Sequence, residues 1–367
     1  MDAERLGEGR MGLGRTIRFA SAAVGIAAMA VFVLPSPAAY GATINVSPGQ
    51  SIQAAVNAAH AGDTINVAAG TYHESVEITK SLSVIGAGQG ATILVPPSSP
   101  PRTQSGFCFD PKAPTEFNGM CIHGAVDSKG NVTSPVGAVR VSGFTVKNFN
   151  GVGVLFFGAS SPHVDHNTFL NNSDYGTTAF VSTNDFFDSN ISNKNGEAGI
   201  YVGDSPHADA TVTNNEANNN ANFGIFVRDA SGPGMIANNL VRGNCGGILF
   251  LYDGTGPVPS TWQASGNQAS ANDAVCSPEG GPPAGGIGIG VAGVNSVNVH
   301  DNLVTNNVAS GPVQLTGGVI VAFGASHTTV TRNQITRNAP DISWDKTGTA
   351  NSFTGNLCKT SVPSGLC

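Results

Sequence analysis

The sequence predicts an all-β fold, a solenoid wound as a parallel β-helix. Three observations carry this reading. First, pairs of Asn five residues apart recur in order: Asn167/Asn172, Asn190/Asn195, Asn215/Asn220, Asn239/Asn244, Asn267/Asn272, Asn302/Asn307 and Asn333/Asn338. The first four pairs are spaced by 23, 25 and 24 residues, the later ones by 28, 35 and 31. The longer intervals hold Gly/Pro-rich insertions such as 254–260 and 277–286. A fixed period of this size marks a repeat architecture. Second, apolar residues alternate between the pairs: Ile200 and Val202 after Asn195, Ile225 and Val227 after Asn220, Leu249 and Leu251 after Asn244. Period two means strands. Third, Gly is 48 of 367 residues and charged residues are only 11%, which suits many turns and short strands. Leucine-rich repeats share the period but need a regular Leu template, which is missing.

At the N-terminus, Arg15 and Arg18 precede an apolar run from Phe19 to Leu34, followed by Pro35-Ser36-Pro37 and small residues. This predicts a secretory signal peptide over 1–41, with Ala39 and Gly41 at positions −3 and −1 of the cut. The rival is a membrane anchor, for which the run is short. A secreted protein with no membrane partner after cleavage is the expectation. Next, Ser51 can cap a short helix in SIQAAVNAAH, with Ile52, Ala55, Val56 and Ala59 on one face. A solenoid needs such a cap. The helix body then runs over 42–357, and 358–367 forms a clipped tail.

Residues 50–88, QSIQAAVNAAHAGDTINVAAGTYHESVEITKSLSVIGAG, resemble the opening of the pectin-lyase-like superfamily, including its NosD-like and carbohydrate-active branches. The resemblance covers nearly the whole mature chain. It implies a right-handed parallel β-helix with a short N-terminal capping helix. It leaves function open, because the superfamily holds lyases, hydrolases, esterases, epimerases, adhesins and proteins of other roles.

Each rung places Asn at a turn, where left-handed backbone is tolerated. Stacked about 4.8 Å apart, the Asn side chains can bond along the solenoid. The six cysteines, Cys108, Cys121, Cys245, Cys276, Cys358 and Cys367, are even in number. In an exported chain that reads as disulfides. Pairing in sequence order closes three short loops, although spacing alone does not fix connectivity. No CxxC or Cys/His cluster stands out, so metal binding by cysteine is not expected, and the metal is unknown.

Net charge is −7, and −8 once residues 1–41 are removed. Such a surface does not attract nucleic acid or anionic membrane. A polyanionic polysaccharide would need a cation, such as Ca²⁺, or a locally positive groove. A ladder capped at both ends is consistent with a monomer.

Nine residues past the second Asn of three successive pairs stand Asp204, Asp229 and Asp253, where the rung before has Val181. Arg228, Tyr252, Tyr201 and His207 lie around them. Stacked carboxylates repel by roughly 3 kcal/mol per adjacent pair at a dielectric of about 20. The stack therefore holds a proton, binds a cation, or leans on Arg228. Against this stands turn chemistry, since Asp also caps strand ends. Residues Tyr201 to His207, YVGDSPH, are similar to the Tyr-Gly-Phe-Asp-Pro-His motif of alginate-type epimerases, with one extra residue before His. The paired Asp and Gly-His-Gly of polygalacturonases and the Gly-Ser-x-Asp-Phe-Ile-Phe-Gly of pectin methylesterases are missing. The residue types suit proton abstraction beside a uronic carboxylate. Arg228 or a cation would neutralise the carboxylate, His207 or an Asp would act as base, and Tyr201 as acid. Hydrolysis between two carboxyls and non-catalytic polysaccharide or wall binding are the alternatives. Asp253, Tyr252 and Trp262 are the candidate sugar contacts, Trp262 either stacking on a ring or pinning its insertion.

Overall fold

A computed structural model describes residues 41–99, 108, 117–277 and 281–367. The expected leader and its rival, the anchor, lie outside the described residues except for Gly41. Among the described residues no helix is long and apolar enough to cross a membrane.

Three parallel sheets run the length of the solenoid. Sheet I has 12 strands, from Thr43–Val46 to Ser352–Thr354; sheet II has 10, from Gly70–His73 to Gln334–Thr336; sheet III has 12, of which 11 run parallel from Val76–Ile78 to Ser361–Val362 and Val275–Cys276 joins antiparallel off that path. Each turn of the chain adds one strand to each sheet, so non-local strands pair in register. On sheet I, Val141, Val164, Phe187, Val212 and Ile236 follow one another inward. All five are fully buried. The alternation read from sequence thus sets the inner face.

Helix α1, Ile52–Ala58, closes the N-terminal end. The Ser51 side chain accepts from Ala54 N at 3.1 Å. Glu74 takes the Ile52 and Gln53 N–H groups at 2.9 and 3.1 Å. Those bonds satisfy donors that a helix start leaves open. Ile52, Ala55 and Val56 face the core as expected.

The Asn pairs form two buried ladders, one on each side of sheet II. Asn190 Nδ2 donates to Asn215 Oδ1 at 3.0 Å, and Asn215 Nδ2 to Asn239 Oδ1 at 3.0 Å. In the second ladder Asn195, Asn220 and Asn244 repeat the pattern at 3.0 and 3.2 Å. One detail differs from expectation. The left-handed residue is the one before each Asn, for example Asn214 at φ 56° and Asn219 at φ 56°. The turn therefore frees the ladder Asn to point inward. Small residues complete the corner. A Cβ on Gly199 would lie 2.8 Å from Gly224 O and 2.9 Å from Asn220 Nδ2.

The cysteines pair in sequence order: Cys108–Cys121, Cys245–Cys276 and Cys358–Cys367. The last closes the C-terminal tail, where Ser361–Val362 extends sheet III.

Candidate functional site

Of the predicted residues, Tyr201, Asp204, Arg228, Asp229 and Asp253 lie along one edge of sheet III. Ile200–Gly203 pairs with Phe223–Arg228, setting Tyr201 beside Phe226 and Gly203 beside Arg228. Ile200 and Val202 point into the core. Tyr201 points the other way but is 0% exposed. Its ring lies 4.9 Å from Tyr175, 4.7 Å from Phe180 and 5.4 Å from Phe226, in an aromatic strip on the outer face. Tyr201 as a catalytic acid is thus corrected: neighbouring rings cover it from solvent.

Beyond the strand ends, Asp204 and Asp229 stack as expected. Asp204 N donates to Arg228 O at 3.1 Å and Asp229 N to Leu251 O at 3.0 Å. Both have left-handed backbone, φ 55° and 49°, the same as Val181 at φ 51° on the rung before. The turn reading of these aspartates therefore has direct geometric support.

Asp253 is not the third member of that stack. Strand register sets Arg228 beside Leu251, which leaves Tyr252 opposite Asp229. Inward positions on this rung are Ile248 and Phe250, not Leu249 and Leu251. The cause is a turn one residue shorter between Asn244 and its strand. Asp253 nonetheless returns to the site by another route. Its N donates to Asp229 Oδ1 at 3.2 Å. Its carboxylate accepts from Arg228 Nε at 2.7 Å, with a second, shorter bond from the same guanidinium. Thr255 Oγ1 bridges Asp229 Oδ2 at 2.9 Å and Asp253 Oδ1 at 2.6 Å.

This geometry resolves the repulsion. Burial, then the bond shared with Asp253, pushes Asp229 up to about 6. Burial also raises Asp253, but hydrogen bonds from Asp229, Thr255 and Arg228 outweigh it and hold Asp253 well below the usual range. One carboxyl keeps the proton and the other takes the arginine. Among the described residues, Asp204, Asp229 and Asp253 do not converge as a three-ligand metal group.

The sign of the pH effect follows. An ordinary Asp titrates near 3.9, so between about pH 4 and pH 6 the unfolded chain releases a proton that folded Asp229 keeps. Stability from this group is full below about 4 and is lost as pH rises through about 6. Asp229→Asn should therefore fare better against the parent protein at pH 7.5 than at pH 4.5. Thermal unfolding at both pH values checks it, and an identical gap at both would rule out a raised Asp229.

Three remaining candidates separate. His207 is exposed at the tip of the following turn. Tyr252 is half-buried against the main core. Trp262 is corrected: it belongs to strand Ser260–Ser265, is 1% exposed, and fills the space opposite Gly234. A Cβ on Gly234 would lie 2.4 Å from the indole. Trp262 Nε1 donates to Ala230 O at 2.8 Å. It is a core residue and offers no sugar platform. Trp262→Phe is expected to destabilise by about 1–3 kcal/mol, because it strands that buried carbonyl. Urea unfolding checks this, and a gain in stability would reject it.

Sequence reasoning missed a second cluster, on sheet I. Asp165 is buried and receives Arg140 Nε and Nη2 at 2.7 Å each, Ser142 Oγ at 2.9 Å and His166 Nδ1 at 2.9 Å. His163 Nε2 lies 3.4 Å away. Burial raises Asp165, but the Arg140, His166 and Ser142 bonds prevail and bring it down to about 2. His166 is exposed, so a carboxylate-held imidazole faces solvent. The signal was legible as His163-Val164-Asp165-His166, two histidines flanking one Asp.

A family model described as the right handed beta helix region matches residues 117–267 and 152–335, together more than half of the chain. The chain belongs to the right-handed β-helix family. No curated protein matches the sequence. Among solved structures, this β-helix is similar to the A-module of the mannuronan C-5 epimerase AlgE4 of Azotobacter vinelandii. The TM-score is 0.58 at 17% identity, with 84% of each chain covered. It is similar to a family 28 exopolygalacturonase of Yersinia enterocolitica, TM-score 0.51 at 13% identity, covering 88% of this chain and 78% of that one. It is also similar to the catalytic unit of a GH87 alpha-1,3-glucanase from Streptomyces thermodiastaticus, TM-score 0.51 at 14% identity, covering 89% and 70%. At these identities the likeness shows a shared pectate-lyase-like fold.

Proposed function

We propose that this β-helix acts outside the cytoplasm on an acidic polysaccharide, by proton abstraction next to a uronate carboxylate. The observation that carries the reading is the Asp229–Asp253–Arg228 unit beside Asp204 and exposed His207. It puts a shared proton and a guanidinium at one strand edge, and the turn that follows Asp204 carries an exposed imidazole. His207 is the base in this reading, and Asp204, three residues before it, is the acid. Arg228, half-buried, trades part of its bond with Asp253 for the substrate carboxylate as charge develops there. Asp229 is fully buried, so it positions Asp253 and touches no sugar. Loss of the substituent at C-4 would give a lyase product; return of the proton to the opposite face would give an epimer. The similarity to an epimerase, a polygalacturonase and a glucanase supports polysaccharide as the substrate class, and three disulfides fit an oxidising compartment.

Two observations favour second readings. Asp204 and Asp229 occupy turn positions, which supports a non-catalytic polysaccharide-binding protein. The Asp165–His166 pair offers a different acid–base site on sheet I. The test incubates the mature chain, with and without Ca²⁺, with a panel of uronate polymers in deuterated water. Unsaturated product in the ultraviolet marks a lyase, deuterium at C-5 an epimerase, and new reducing ends a hydrolase. Polymer retention without any of the three would leave binding alone.

A further inference from the structure

The first rungs of sheet III hold a cluster that the candidate site does not use. Strand Val76–Ile78 pairs with Met120–His123, setting Glu77 beside Cys121. His123, two residues on, shares that face. Cys121 is bonded to Cys108. His123 Nε2 lies 2.9 Å from Glu77 Oε1 and Nδ1 lies 2.7 Å from Gly124 O. A carbonyl only accepts, so Nδ1 carries a proton and Nε2 is the nitrogen turned towards the cluster. The ligand atoms of Glu77, Cys108 and His123 all lie within 4.8 Å of one another. Cys121 Sγ, bonded to Cys108 Sγ, lies at the same place. Both cysteines and His123 are buried. Sequence order hid this, because Cys108 and Glu77 are distant from Cys121-Ile122-His123. The expectation that no Cys/His cluster exists is thereby corrected. The register from His123 through Phe157 and Phe180 to Gly203 sets it three rungs from the candidate site.

We propose that reduction of the Cys108–Cys121 disulfide turns this cluster into a zinc site, with Cys108, Cys121, His123 and Glu77 as its four ligands. In the oxidised protein neither sulfur is a thiolate, and only an imidazole and a carboxylate remain, bonded to each other. A phosphine reductant breaks the sulfur–sulfur bond; water gives its oxygen to the phosphine and its two protons to the sulfurs. Binding the ion then releases both thiol protons to solvent. Two thiolates, one imidazole and one carboxylate are the ligand types and the number that tetrahedral Zn²⁺ takes. Around one such ion, sulfurs at about 2.3 Å from the metal stand about 3.8 Å apart. Side-chain rotation supplies that separation from Cα atoms 5.8 Å apart. The site is thus gated by redox state: it binds metal before the disulfide forms or after it is reduced.

The test uses the full mature chain, reduced by a phosphine, desalted without oxygen and titrated with Co²⁺ as a spectroscopic stand-in for Zn²⁺. The expected result is one equivalent bound, with tetrahedral d–d bands and a thiolate charge-transfer band. The unreduced protein and Cys108→Ser/Cys121→Ser should lack both bands, and Cys245→Ser/Cys276→Ser should keep them. A readout on the parent chain guards against variants that fail to fold. Zn²⁺ should block alkylation of Cys108 and Cys121, mapped by peptide mass, and leave the other four cysteines reactive. Bands that survive in Cys108→Ser/Cys121→Ser, or alkylation of this pair unchanged by Zn²⁺, would overturn the proposal.

Discussion

Asn220→Ala is expected to destabilise the β-helix by about 3 kcal/mol or more, although it removes only a small polar side chain. Asn220 Oδ1 accepts from Asn195 N and from Asn195 Nδ2, both at 3.0 Å. Its Nδ2 donates to Ser192 O at 3.0 Å and to Asn244 Oδ1 at 3.2 Å. All of these groups are buried where water does not replace the missing partner. Each orphaned donor or acceptor costs about 1–3 kcal/mol. Asn195 Nδ2 keeps Ser192 Oγ at 3.2 Å, and Asn244 Oδ1 keeps Asn220 N at 2.8 Å. Asn195 N and Ser192 O therefore carry most of the loss. Urea unfolding of parent and variant measures it. A change under about 1 kcal/mol would mean that the ladder only replaces bonds to water, and the ladder would lose its place as a source of stability.

The ladder was legible because it repeats. A turn that recurs every 23–25 residues leaves the same residue type at the same place, whatever surrounds it. The capping helix and the disulfide pairing were legible for a similar reason, since each depends on neighbours in sequence. What failed was register. Counting from Asn244 assumed a turn of constant length, and one residue fewer moved Asp253 off the stack. Trp262 was misread because its environment is made by Gly234, one rung away, whose missing side chain admits the indole. The Arg140–Asp165–His166 cluster was missed because Arg140 reaches Asp165 only once the coil brings residues 25 apart together. In a solenoid the chemistry of a site runs across rungs, and a sequence lists it along them.

The largest expected effect on activity comes from the turn after Gly203. On the proposed reading, His207→Asn and Asp204→Asn each lower turnover by about 10²–10⁴-fold, the usual range for a lost acid–base group. Neither should alter stability greatly. His207 is exposed, and Asp204, at φ 55°, sits where Asn is tolerated as well as Asp. Asp229→Asn should cost less turnover, because that carboxyl acts through Asp253 and Thr255. It should instead move the pH dependence, since Asn no longer releases a proton near 6. Turnover and thermal unfolding are measured on the same preparations, with His166→Asn beside them. Loss of activity in His207→Asn with unchanged unfolding, and retention in His166→Asn, places the chemistry at the edge of sheet III. The reverse pattern moves it to the Asp165–His166 pair, where a carboxylate already holds an exposed imidazole. Activity retained in all four variants would remove both sites as acid–base centres, and Asp204 and Asp229 would stand as turn residues whose carboxylates close the corner of the coil.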